Sequence, residues 1–536
     1  MNRVSILDCT LRDGGYVNNF RFGEKIIKDI IKKLSKASID IIECGFLESG
    51  KSNADETLFG SVEDIKYVIQ EKNENLMYVA MIQYGKISAE EISDYDGSSI
   101  DGIRLTFHEH EIEEAFVVGK ELMKKGYKVF MQPVGTMTYT DTALLDLINK
   151  INILRPFAFY MVDTLGTMYK NDLLRMFYLI DHNLNKNIVI GFHSHNNLQL
   201  SFANAQELMQ LNTPRKLIID ASVFGMGRGA GNLNTELATQ YINANLEFRY
   251  DNITIMEIID KYIRPLSMKY RWGYDAAYYI ASVTGCHPNY ASFLMNKQTL
   301  HIQDIYAILN NLAQESRALF DKEYIGACYI HYMNHRIDDS QVLTELRDVI
   351  GNKNILLLAP GKSLKKNMQK IKQIAKQDCF IICVNFMPLD IPVDMMFVSN
   401  MKRFRNIEEL KTHGSENVKL VVTSNITCGS DTHMYVVDYA SYINEEQCIA
   451  DNAGLMCINF LNKLGVKNIM LAGFDGFSAN TQENFFETSM CLDVESDRLQ
   501  RMNIATSQKL VQLGTQLNIS FLTKSMYQKD GGVSYE

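Results

Sequence analysis

Residues 4–46 read VSILDCTLRDGGYVNNFRFGEKIIKDIIKKLSKASIDIIECGF, two apolar runs on either side of a segment with helical spacing. The runs VSILDC (4–9) and IDIIECGF (39–46) are apolar on both faces, which is typical of parallel strands covered by helices. Between them, GEKIIKDIIKKLSKAS (23–38) repeats its apolar residues three and four positions apart, as in an amphipathic helix. The stretch therefore predicts a strand, a helix and a second strand parallel to the first.

The same alternation continues through the first part of the chain. Six more apolar runs follow: LMYVAMI (76–82), GIRLTF (102–107), KVFMQPV (128–134), FAFYMVD (157–163), NIVIGFHSH (187–195) and LIIDASV (217–223). Eight strand-and-helix repeats within about 225 residues are the number and size of an α/β (β/α)8 TIM barrel. An open doubly wound sheet is the main alternative, but it rarely needs eight regular repeats.

The rest of the chain divides into two further parts. From about 241 to 347 the strand pattern disappears and the spacing is helical, which predicts a helical segment packed on the barrel. At 354 a second α/β pattern begins with NILLLAPGKSL and continues through the short predicted strands DCFIICVNF (378–386), DMMFVSN (394–400), VKLVVTS (418–424), NIMLAGFDG (468–476) and ISFLTKS (519–525). We therefore predict a barrel at 1–240, a helical segment at 241–347 and a Rossmann-like α/β domain at 348–536.

Composition narrows the class of protein. With 536 residues the chain is too long for one ordinary core, and its net charge of −9 disfavours nucleic acid as a partner. It has no run of about 18 apolar residues and no secretory leader before the first strand, so we expect no membrane span. Its ten cysteines form no CxxC pair, and Cys44, Cys383 and Cys457 lie in apolar runs, which predicts a reduced, cytoplasmic protein.

Polar residues mark the ends of the predicted strands, where the catalytic groups of a TIM barrel lie. His193 and His195 are two positions apart on one strand and therefore share a face. With a carboxylate such as Asp13, these imidazoles form a mixed nitrogen and oxygen site that suits Mn²⁺, Mg²⁺, Fe²⁺, Co²⁺ or Zn²⁺. The other strand-end residues, which include the candidates for substrate binding, are Arg12, Glu43, Arg104, His108, Gln132, Asp163 and Thr164.

Five motifs in order resemble one enzyme superfamily. LDCTLRDGGYVNNF (7–20), IIECGF (41–46), VDTLG (162–166), GFHSHNNLQLSFANA (191–205) and GRGAGN (227–232) resemble the DRE-TIM metallolyases, also called HMG-CoA-lyase-like. The aldolase branch, typified by 4-hydroxy-2-oxovalerate aldolase, is most similar, and the resemblance covers roughly residues 1–300. It implies that Asp13, His193, His195 and Asn232 bind a divalent metal, with Mn²⁺ or Mg²⁺ favoured, while Arg12 and Glu43 serve catalysis.

The chemistry of the residues agrees with this resemblance. A 2-oxo acid can chelate a cation through its carboxylate and keto oxygens, and Arg12 adds charge-assisted hydrogen bonds to the enolate that forms. Gly14 and Gly15 let the backbone turn closely around the site. We predict that Arg12, Arg104, Gln132 and Thr164 bind substrate, although Thr164 is equally suited to cap a helix.

One residue departs from the family pattern. The typical aldolase has a proton-transferring His three residues after the metal-binding Asp, and this chain has Tyr16 there. A tyrosine, with an ordinary pKa near 10, is a poor base at pH 7 unless its surroundings tune it. Tyr16, a metal-bound water, His108, His110 and His287 are the alternatives for the proton-transfer group.

The last third of the chain carries a weaker signal. NILLLAPGKSLKKN (354–367) reads as a strand, a glycine turn and a helix start, which can bind a phosphate with Gly361, Lys362 and Ser363. Asn385, Asn400 and Asp475 follow later predicted strands. Together these motifs loosely resemble Rossmann-like domains that bind nucleotides or nucleotide sugars in surface-glycan enzymes, including sialyltransferase-like and pterin-pyrophosphokinase-like groups.

The sequence favours a metal-dependent aldolase that makes or cleaves a 4-hydroxy-2-oxo acid, with a sugar or sugar phosphate as the aldehyde partner. The alternatives are a Claisen-type enzyme that uses an acyl-CoA, and a non-catalytic barrel attached to a transferase. The Arg-Asp-Gly-Gly-Tyr form of the first motif favours the aldol branch. The two domains could also act in series on one sugar acid. A homodimer through the Leu-, Ile- and Tyr-rich region 240–330 is a further expectation.

Overall fold

The computed structural model of the chain describes residues 3–51, 53–297, 299–334, 336–350, 353–377, 379–388, 391–405, 418–426, 434–478, 484–486 and 496–528. The chain folds into two compact units. The first contains residues 1–292 and 313–320, and the second contains 293–312 and 321–536. No helix in the described ranges is both long enough and apolar enough to cross a bilayer.

The first unit contains the predicted TIM barrel. Its eight strands are β1 (Val4–Asp8), β2 (Ile41–Leu47), β3 (Met77–Gln83), β4 (Gly102–Phe107), β5 (Lys128–Pro133), β6 (Ala158–Asp163), β7 (Val189–Ser194) and β8 (Leu217–Ala221). All neighbours are parallel, β8 pairs with β1, and the pair Leu7–Ile41 between β1 and β2 closes the barrel. A two-residue strand, Leu58–Phe59, adds to the edge of β2.

Amphipathic helices surround these strands. Their bounds are Glu24–Lys36, Val62–Ile69, Ile112–Lys124, Asp141–Leu154, Lys170–Asn183, Ser201–Gln210 and Thr235–Asn245. In the first of them Ile27, Ile30, Ile31 and Leu34 are buried, which is the apolar stripe that the sequence predicts. Residues 84–101, between β3 and β4, contain a 3₁₀ turn at Ala89–Glu91 instead of a full helix.

The region after the barrel is helical, as the sequence predicts. Its helices are Asn252–Ile258, a π-helical turn at Ile259–Ile263, Arg264–Lys269, Ala276–Val283, Pro288–Met295, Ile302–Asn310, Lys322–Met333 and Ser340–Ile350. Short helices at Gly15–Asn18, Lys362–Lys366 and Met368–Ile374, and longer ones at Ala453–Lys463 and Ser496–Leu513, complete the described set.

The second unit is built on a parallel seven-stranded sheet. Its strands are β9 (Asn354–Leu358), β10 (Cys379–Val384), β11 (Met395–Val398), β12 (Lys419–Thr423), β13 (Met434–Val437), β14 (Asn468–Ala472) and β15 (Asn518–Phe521). In space the order is β13-β12-β11-β10-β9-β14-β15, so the chain winds outward from β9 in both directions. The α/β prediction is confirmed, although β13 was not among the predicted strands.

Candidate active site

Asp13, His193 and His195 meet at the carboxyl end of the barrel. Asp13 follows β1 in a turn held by its own amide, which donates to the Cys9 carbonyl at 2.8 Å. His193 lies on β7 and His195 directly after it. One potential ligand atom from each side chain lies within 4.8 Å of the other two, and all three residues are buried. The structure thus brings together three residues that the sequence selects from opposite ends of its first 200 residues.

Asp220, on β8, orients one of these imidazoles. Its carboxylate lies 3.0 Å from Nδ1 of His193, which leaves the Nε2 side of that ring for another partner. It also pairs with Arg104 and accepts a hydrogen bond from the Tyr160 hydroxyl. A carboxylate that holds one nitrogen of a metal-binding histidine is a common supporting contact. The sequence analysis missed Asp220, although an acidic residue inside the apolar run LIIDA was a signal.

Burial and charge set the protonation of the cluster. Burial lowers the pKa of His195 to about 3, and the positive charges of Arg228 and Arg12 act in the same direction. For Asp13 burial opposes ionisation, but the combined attraction of the surrounding positive groups, Arg12 foremost, outweighs it and holds the pKa of the carboxyl well below its usual range. A neutral imidazole beside an ionised carboxylate is the protonation state that a metal site requires.

Arg12, Glu43 and Arg104 form a buried ion-pair network beside the cluster. Arg12 Nε donates to Glu43 Oε2 at 2.8 Å, and its Nη1 donates to Asp13 at 2.6 Å. Arg104 Nη1 lies 2.7 Å from the same Glu43 oxygen. With Asp220 included, three carboxylates face two guanidinium groups. These buried groups therefore carry an excess of negative charge, which favours a bound cation.

The loop after β8 closes the other side of the cluster. Asn232 Nδ2 donates to Asp13 Oδ2 at 2.6 Å, and a backbone bridge pairs Asn232 with His195. Gly227 lies so close that a Cβ there would come within 2.4 Å of Asn232 Nδ2 and 2.9 Å of Asp13 Oδ2. Only glycine fits this approach without displacing the Asp13 carboxylate.

Several polar atoms around the cluster have no hydrogen-bond partner in the described part of the chain. They include Nδ1 of His195, Oδ1 of Asn232, Oε1 of Glu43 and Nη2 of Arg12. Buried polar groups are normally paired, so these atoms are suited to contact a bound ligand. A divalent cation fits Nδ1 of His195 and Oδ1 of Asn232. An anionic substrate fits the remaining N–H of Arg12, on Nη2.

Three further candidates for substrate binding lie on, or just after, three neighbouring strands. Gln132, on β5, is buried, and with its carbonyl turned towards Arg104 it accepts from Arg104 Nε at 2.7 Å. Arg104 is fully enclosed, with the Tyr160 ring 4.9 Å below its guanidinium carbon. Thr164 follows β6, and its hydroxyl accepts from the Gly135 amide at 2.9 Å. The following helix begins only at Lys170, so Thr164 is not its cap.

The candidates for proton transfer lie in different surroundings. Tyr16 is 39% exposed, and its ring has the Arg228 guanidinium carbon 4.6 Å from its centre. His287 is buried; Arg228 Nη1 lies 3.4 Å from its Nε2, and burial lowers its pKa to about 3. His108 and His110 stack on each other, and His110 is exposed. Arg228, which the sequence analysis did not select, connects Tyr16 to His287.

In the second unit the predicted phosphate turn is already in contact with a carboxylate. Asp475 accepts from the Ser363 amide at 2.6 Å and also from the Ser363 hydroxyl. Lys362 begins a helix of only five residues. A Cβ on Gly361 would come within 2.2 Å of the Gly473 carbonyl, so this glycine permits two loops to cross. Asn385 and Asn400 follow β10 and β11, as predicted.

Comparison with known proteins identifies relatives of the barrel. The HMGL-like family model matches residues 109–260. Oxaloacetate decarboxylase of Mycobacterium tuberculosis is 27% identical over 239 residues, which cover 43% of this chain and 67% of that protein. A 4-hydroxy-2-oxovalerate aldolase of Geobacillus genomosp. 3 is 25% identical over 271 residues, which cover 49% of this chain and 77% of that protein.

Solved structures also align with the chain. The N-terminal domain of a Bacteroides vulgatus protein is 26% identical, with 55% of this chain and 96% of that chain covered and a TM-score of 0.48. HMG-CoA lyase from Brucella melitensis is 15% identical, with 50% of this chain and all of that chain covered and a TM-score of 0.40.

Proposed function

We propose that the N-terminal barrel of this chain, which is similar to the HMG-CoA-lyase-like, or DRE-TIM metallolyase, superfamily of lyases and aldolases, is a divalent-metal-dependent aldolase for 4-hydroxy-2-oxo acids. The convergence of Asp13, His193 and His195 within 4.8 Å carries the proposal. In the cleavage direction the C3–C4 bond breaks, the 4-hydroxyl loses its proton, an aldehyde leaves, and C3 takes up a proton to give pyruvate or a related 2-oxo acid.

Asp13, His193 and His195 would hold the cation, and Asn232 lies where its carbonyl can add a fourth contact. A divalent cation at this position, Mn²⁺ or Mg²⁺ in our proposal, supplies Lewis acidity to the keto group of the substrate. The bound cation would also change the net charge of these buried groups from negative to positive. A singly charged 2-oxo acid would then balance the charge of these buried groups.

Arg12 is the proposed catalytic cation of the protein itself. Two of its nitrogens are engaged by Glu43 and Asp13, which fixes the plane of the guanidinium group. The remaining buried Nη2 can donate to the oxygen on which negative charge develops. Glu43 positions Arg12 by direct contact. Arg104 contacts Glu43 in turn, and Gln132 contacts Arg104, so both support Arg12 indirectly. Thr164 can donate its hydroxyl proton to the substrate carboxylate, since that oxygen accepts from Gly135.

Tyr16 is the proposed proton-transfer residue. It follows Asp13 by three positions, and Arg228 lies against its ring at the mouth of the barrel. His287 is the alternative, because Arg228 also contacts it. Tyr16→Phe and His287→Gln separate the two: the variant that lacks the proton carrier should lose methyl-proton exchange on pyruvate and still retain metal. Loss of exchange in His287→Gln alone would transfer the role to His287.

Pyruvate enolisation is the direct test of the aldolase proposal. We expect the wild-type protein with Mn²⁺ to incorporate deuterium from D2O into the pyruvate methyl group, measured by mass spectrometry, and to form adducts with sugar or sugar-phosphate aldehydes. Asp13→Ala and His193→Ala should abolish both activities. The variant His182→Ala is a matched control, because His182 is exposed and bonds only within its own helix.

Two outcomes would replace the proposal. Turnover of acetyl-CoA without pyruvate exchange would identify a Claisen-type condensing enzyme. Equal metal content in the wild type, Asp13→Ala and His193→Ala would move the metal site elsewhere and favour a non-catalytic barrel.

Oxaloacetate decarboxylation is a second candidate activity. The similarity to oxaloacetate decarboxylase of M. tuberculosis favours it. Loss of carbon dioxide from oxaloacetate gives the same pyruvate enolate as aldol cleavage, so the same residues could serve it. Release of pyruvate from oxaloacetate that is at least as fast as from any 4-hydroxy-2-oxo acid would make decarboxylation the main activity.

We propose further that the second unit binds a nucleotide or nucleotide sugar and acts in series with the barrel on a sugar acid. The parallel sheet, with a cavity at its carboxyl edge, supports this role. The residues that first indicated nucleotide binding are Gly361, Lys362, Ser363 and Asp475. Thermal-shift measurements with CMP, CDP, UDP and GDP test the idea, and a flat response to all four would remove it.

Self-association is the last part of the proposal. The region 240–330 exposes large apolar side chains, among them Phe248 (83% exposed), Ile253 (76%) and Met268 (86%). Exposed apolar side chains in one region favour burial against a second copy. Light scattering after size-exclusion chromatography should give the mass of a dimer, about 122 kDa from the 61.2 kDa chain. A monomer mass at micromolar concentration would contradict it.

A further inference from the structure

A cavity of about 230 Å³ lies within the second unit, outside the barrel chemistry. Residues that follow four parallel strands line it: Ala359–Gly361 after β9, Asn385 after β10, Asn400 after β11 and Gly473–Phe477 after β14. The strand order reverses between β9 and β14, so the loops that leave these two strands diverge. Such a crevice at the carboxyl ends of parallel strands is a favourable place for a ligand.

Lys297 brings a nearly buried positive charge to this cavity. Its side chain is 5% exposed and lies over the rings of Phe293 and Tyr329, with the nitrogen 5.4 and 4.5 Å from their centres. Its nearest carboxylate, Asp451, is 4.0 Å away, and the same Asp451 oxygen accepts the Tyr329 hydroxyl at 2.8 Å. Within the described residues no hydrogen bond to the Lys297 ammonium is found. A buried ammonium with so weak a partner needs an additional anion.

The cavity holds a second cation, Arg498, for which the described residues provide no ion-pair partner. Arg403 and Arg498 also line it, and Arg403 is buried. Arg498 is half-buried and forms no ion pair in the described part of the chain. The lining also contains two carboxylates. Asp475 is engaged by the Ser363 amide and hydroxyl, and Asp451 by Tyr329 and Lys297. No carboxylate of the lining is therefore left to neutralise Arg498.

The walls of the cavity are suited to an organic group beside the anion. Phe474, Phe477, Phe485 and Met502 supply apolar surface. Asn385 and Asn452 use their side-chain oxygens to accept from the amides of Ser399 and Leu455. Their NH2 groups can then donate to hydroxyl or ring oxygens of a ligand.

We propose that this cavity binds an organic phosphate ester, with the phosphate held by Lys297 and Arg498. The inference deepens the role proposed above for the second unit and rests on it for the organic part of the ligand. It places the phosphate away from the turn at Gly361–Ser363, because the Asp475 carboxylate already accepts from that turn and would repel an anion.

The test is equilibrium binding to the full-length protein by isothermal calorimetry. The probes are inorganic phosphate, ribose 5-phosphate, glucose 1-phosphate, CMP and UDP, each compared with ribose, glucose, cytidine or uridine. We expect a phosphate ester to bind and its neutral parent to bind at least about tenfold more weakly. Lys297→Met, which keeps the stem over both rings, and Arg498→Gln should each weaken binding at least about tenfold.

Matched controls separate this site from the barrel and from unfolding. Lys467→Met and Arg501→Gln change exposed residues outside the lining and should bind as the wild type does. His193→Ala should also bind normally, because its change lies in the barrel. Thermal unfolding of Lys297→Met should match that of the wild type, and Arg498→Gln provides an independent test at a half-buried position.

Each result decides the inference. Binding of sugar phosphates but not nucleotides would support the anion site and remove the nucleotide proposal. Tight binding of the neutral parents, no binding of any phosphate, or unchanged affinity in both Lys297→Met and Arg498→Gln would overturn it. Loss of binding in His193→Ala would place the phosphate in the barrel instead.

Discussion

The barrel mouth and the cavity of the second unit both lie at the carboxyl ends of parallel strands, but their charges are unbalanced in opposite directions. In the barrel, Asp13, Glu43 and Asp220 outnumber Arg12 and Arg104. In the second unit, Lys297 and Arg498 lack a close carboxylate partner among the described residues. In both units the carboxyl ends of the parallel strands determine where a ligand can bind. The sign of the uncompensated charge there indicates whether that ligand is a cation or an anion.

Replacement of a residue that binds the proposed cation should have the largest effect, because the barrel site would then lose its metal. We expect Asp13→Asn and His193→Ala to lose bound metal and to lower the rate of pyruvate deuteration by about three orders of magnitude, which corresponds to the several kcal/mol that a Lewis acid contributes. Metal analysis and mass spectrometry measure the two losses. Phosphate binding in the second unit should not change, and full metal content in either variant would refute the assignment.

Asp220→Asn tests the support for His193 and should have an intermediate effect. Without the carboxylate, the Nδ1 side of His193 loses its orienting partner, and metal affinity should fall about 10- to 100-fold. Competition with a fluorescent chelator measures this change. Tyr160→Phe removes another contact of Asp220, the hydroxyl at 3.0 Å, and should alter affinity by less than a few-fold. Equal losses in the two variants would indicate general disruption of the network.

Substitutions at two glycines, one at each site, should have smaller effects, each confined to its own ligand. A Cβ at Gly227 would press on Asn232 and Asp13, and a Cβ at Gly361 would press on Gly473 and Asp475. Overpacking of this kind costs about 1–3 kcal/mol. Gly227→Ala should therefore weaken metal binding about tenfold and spare phosphate binding, whereas Gly361→Ala should do the reverse. If either variant weakened both ligands equally, the two sites would not be independent.

Acid sensitivity should give the smallest effect. His287 has its pKa lowered to about 3 by burial and by Arg228, while in the unfolded chain its pKa is about 6.5. The unfolded state therefore binds the proton first, and stability falls as the pH drops from about 6.5 towards 3. His287→Gln should remove about 1 kcal/mol of this loss near pH 5.5, seen as a smaller decrease in melting temperature between pH 7.5 and 5.5. His182→Gln, at an exposed histidine, should behave as the wild type does.

The sequence predicted the barrel well because buried parallel strands must be apolar on both faces, and all eight runs appear as strands. It also selected Asp13, His193 and His195, since the ends of such strands meet at one edge. It missed Asp220 because its partners His193, Arg104 and Tyr160 are 27, 116 and 60 residues away. No local pattern shows which strand faces which across the barrel.

In the second unit the sequence predicted the sheet, but it did not predict which charged side chains line the cavity. The turn at Gly361–Ser363 has the form of a phosphate site, and only the folded chain shows the Asp475 carboxylate against it, 112 residues later. Lys297 lies in a helical region with no motif, so its place in the cavity depends entirely on tertiary structure. The strand Met434–Val437 was missed because it is short and only half-buried over most of its length.

The division of the chain has a consequence for dissecting the protein. The backbone passes between the two units three times, after residues 292, 312 and 320. Cleavage of one peptide bond therefore cannot release both units whole, and a recombinant fragment that starts at residue 348 would lack Lys297 and Thr299. Limited proteolysis or independent expression should accordingly yield either the undivided chain or fragments that have lost part of one fold.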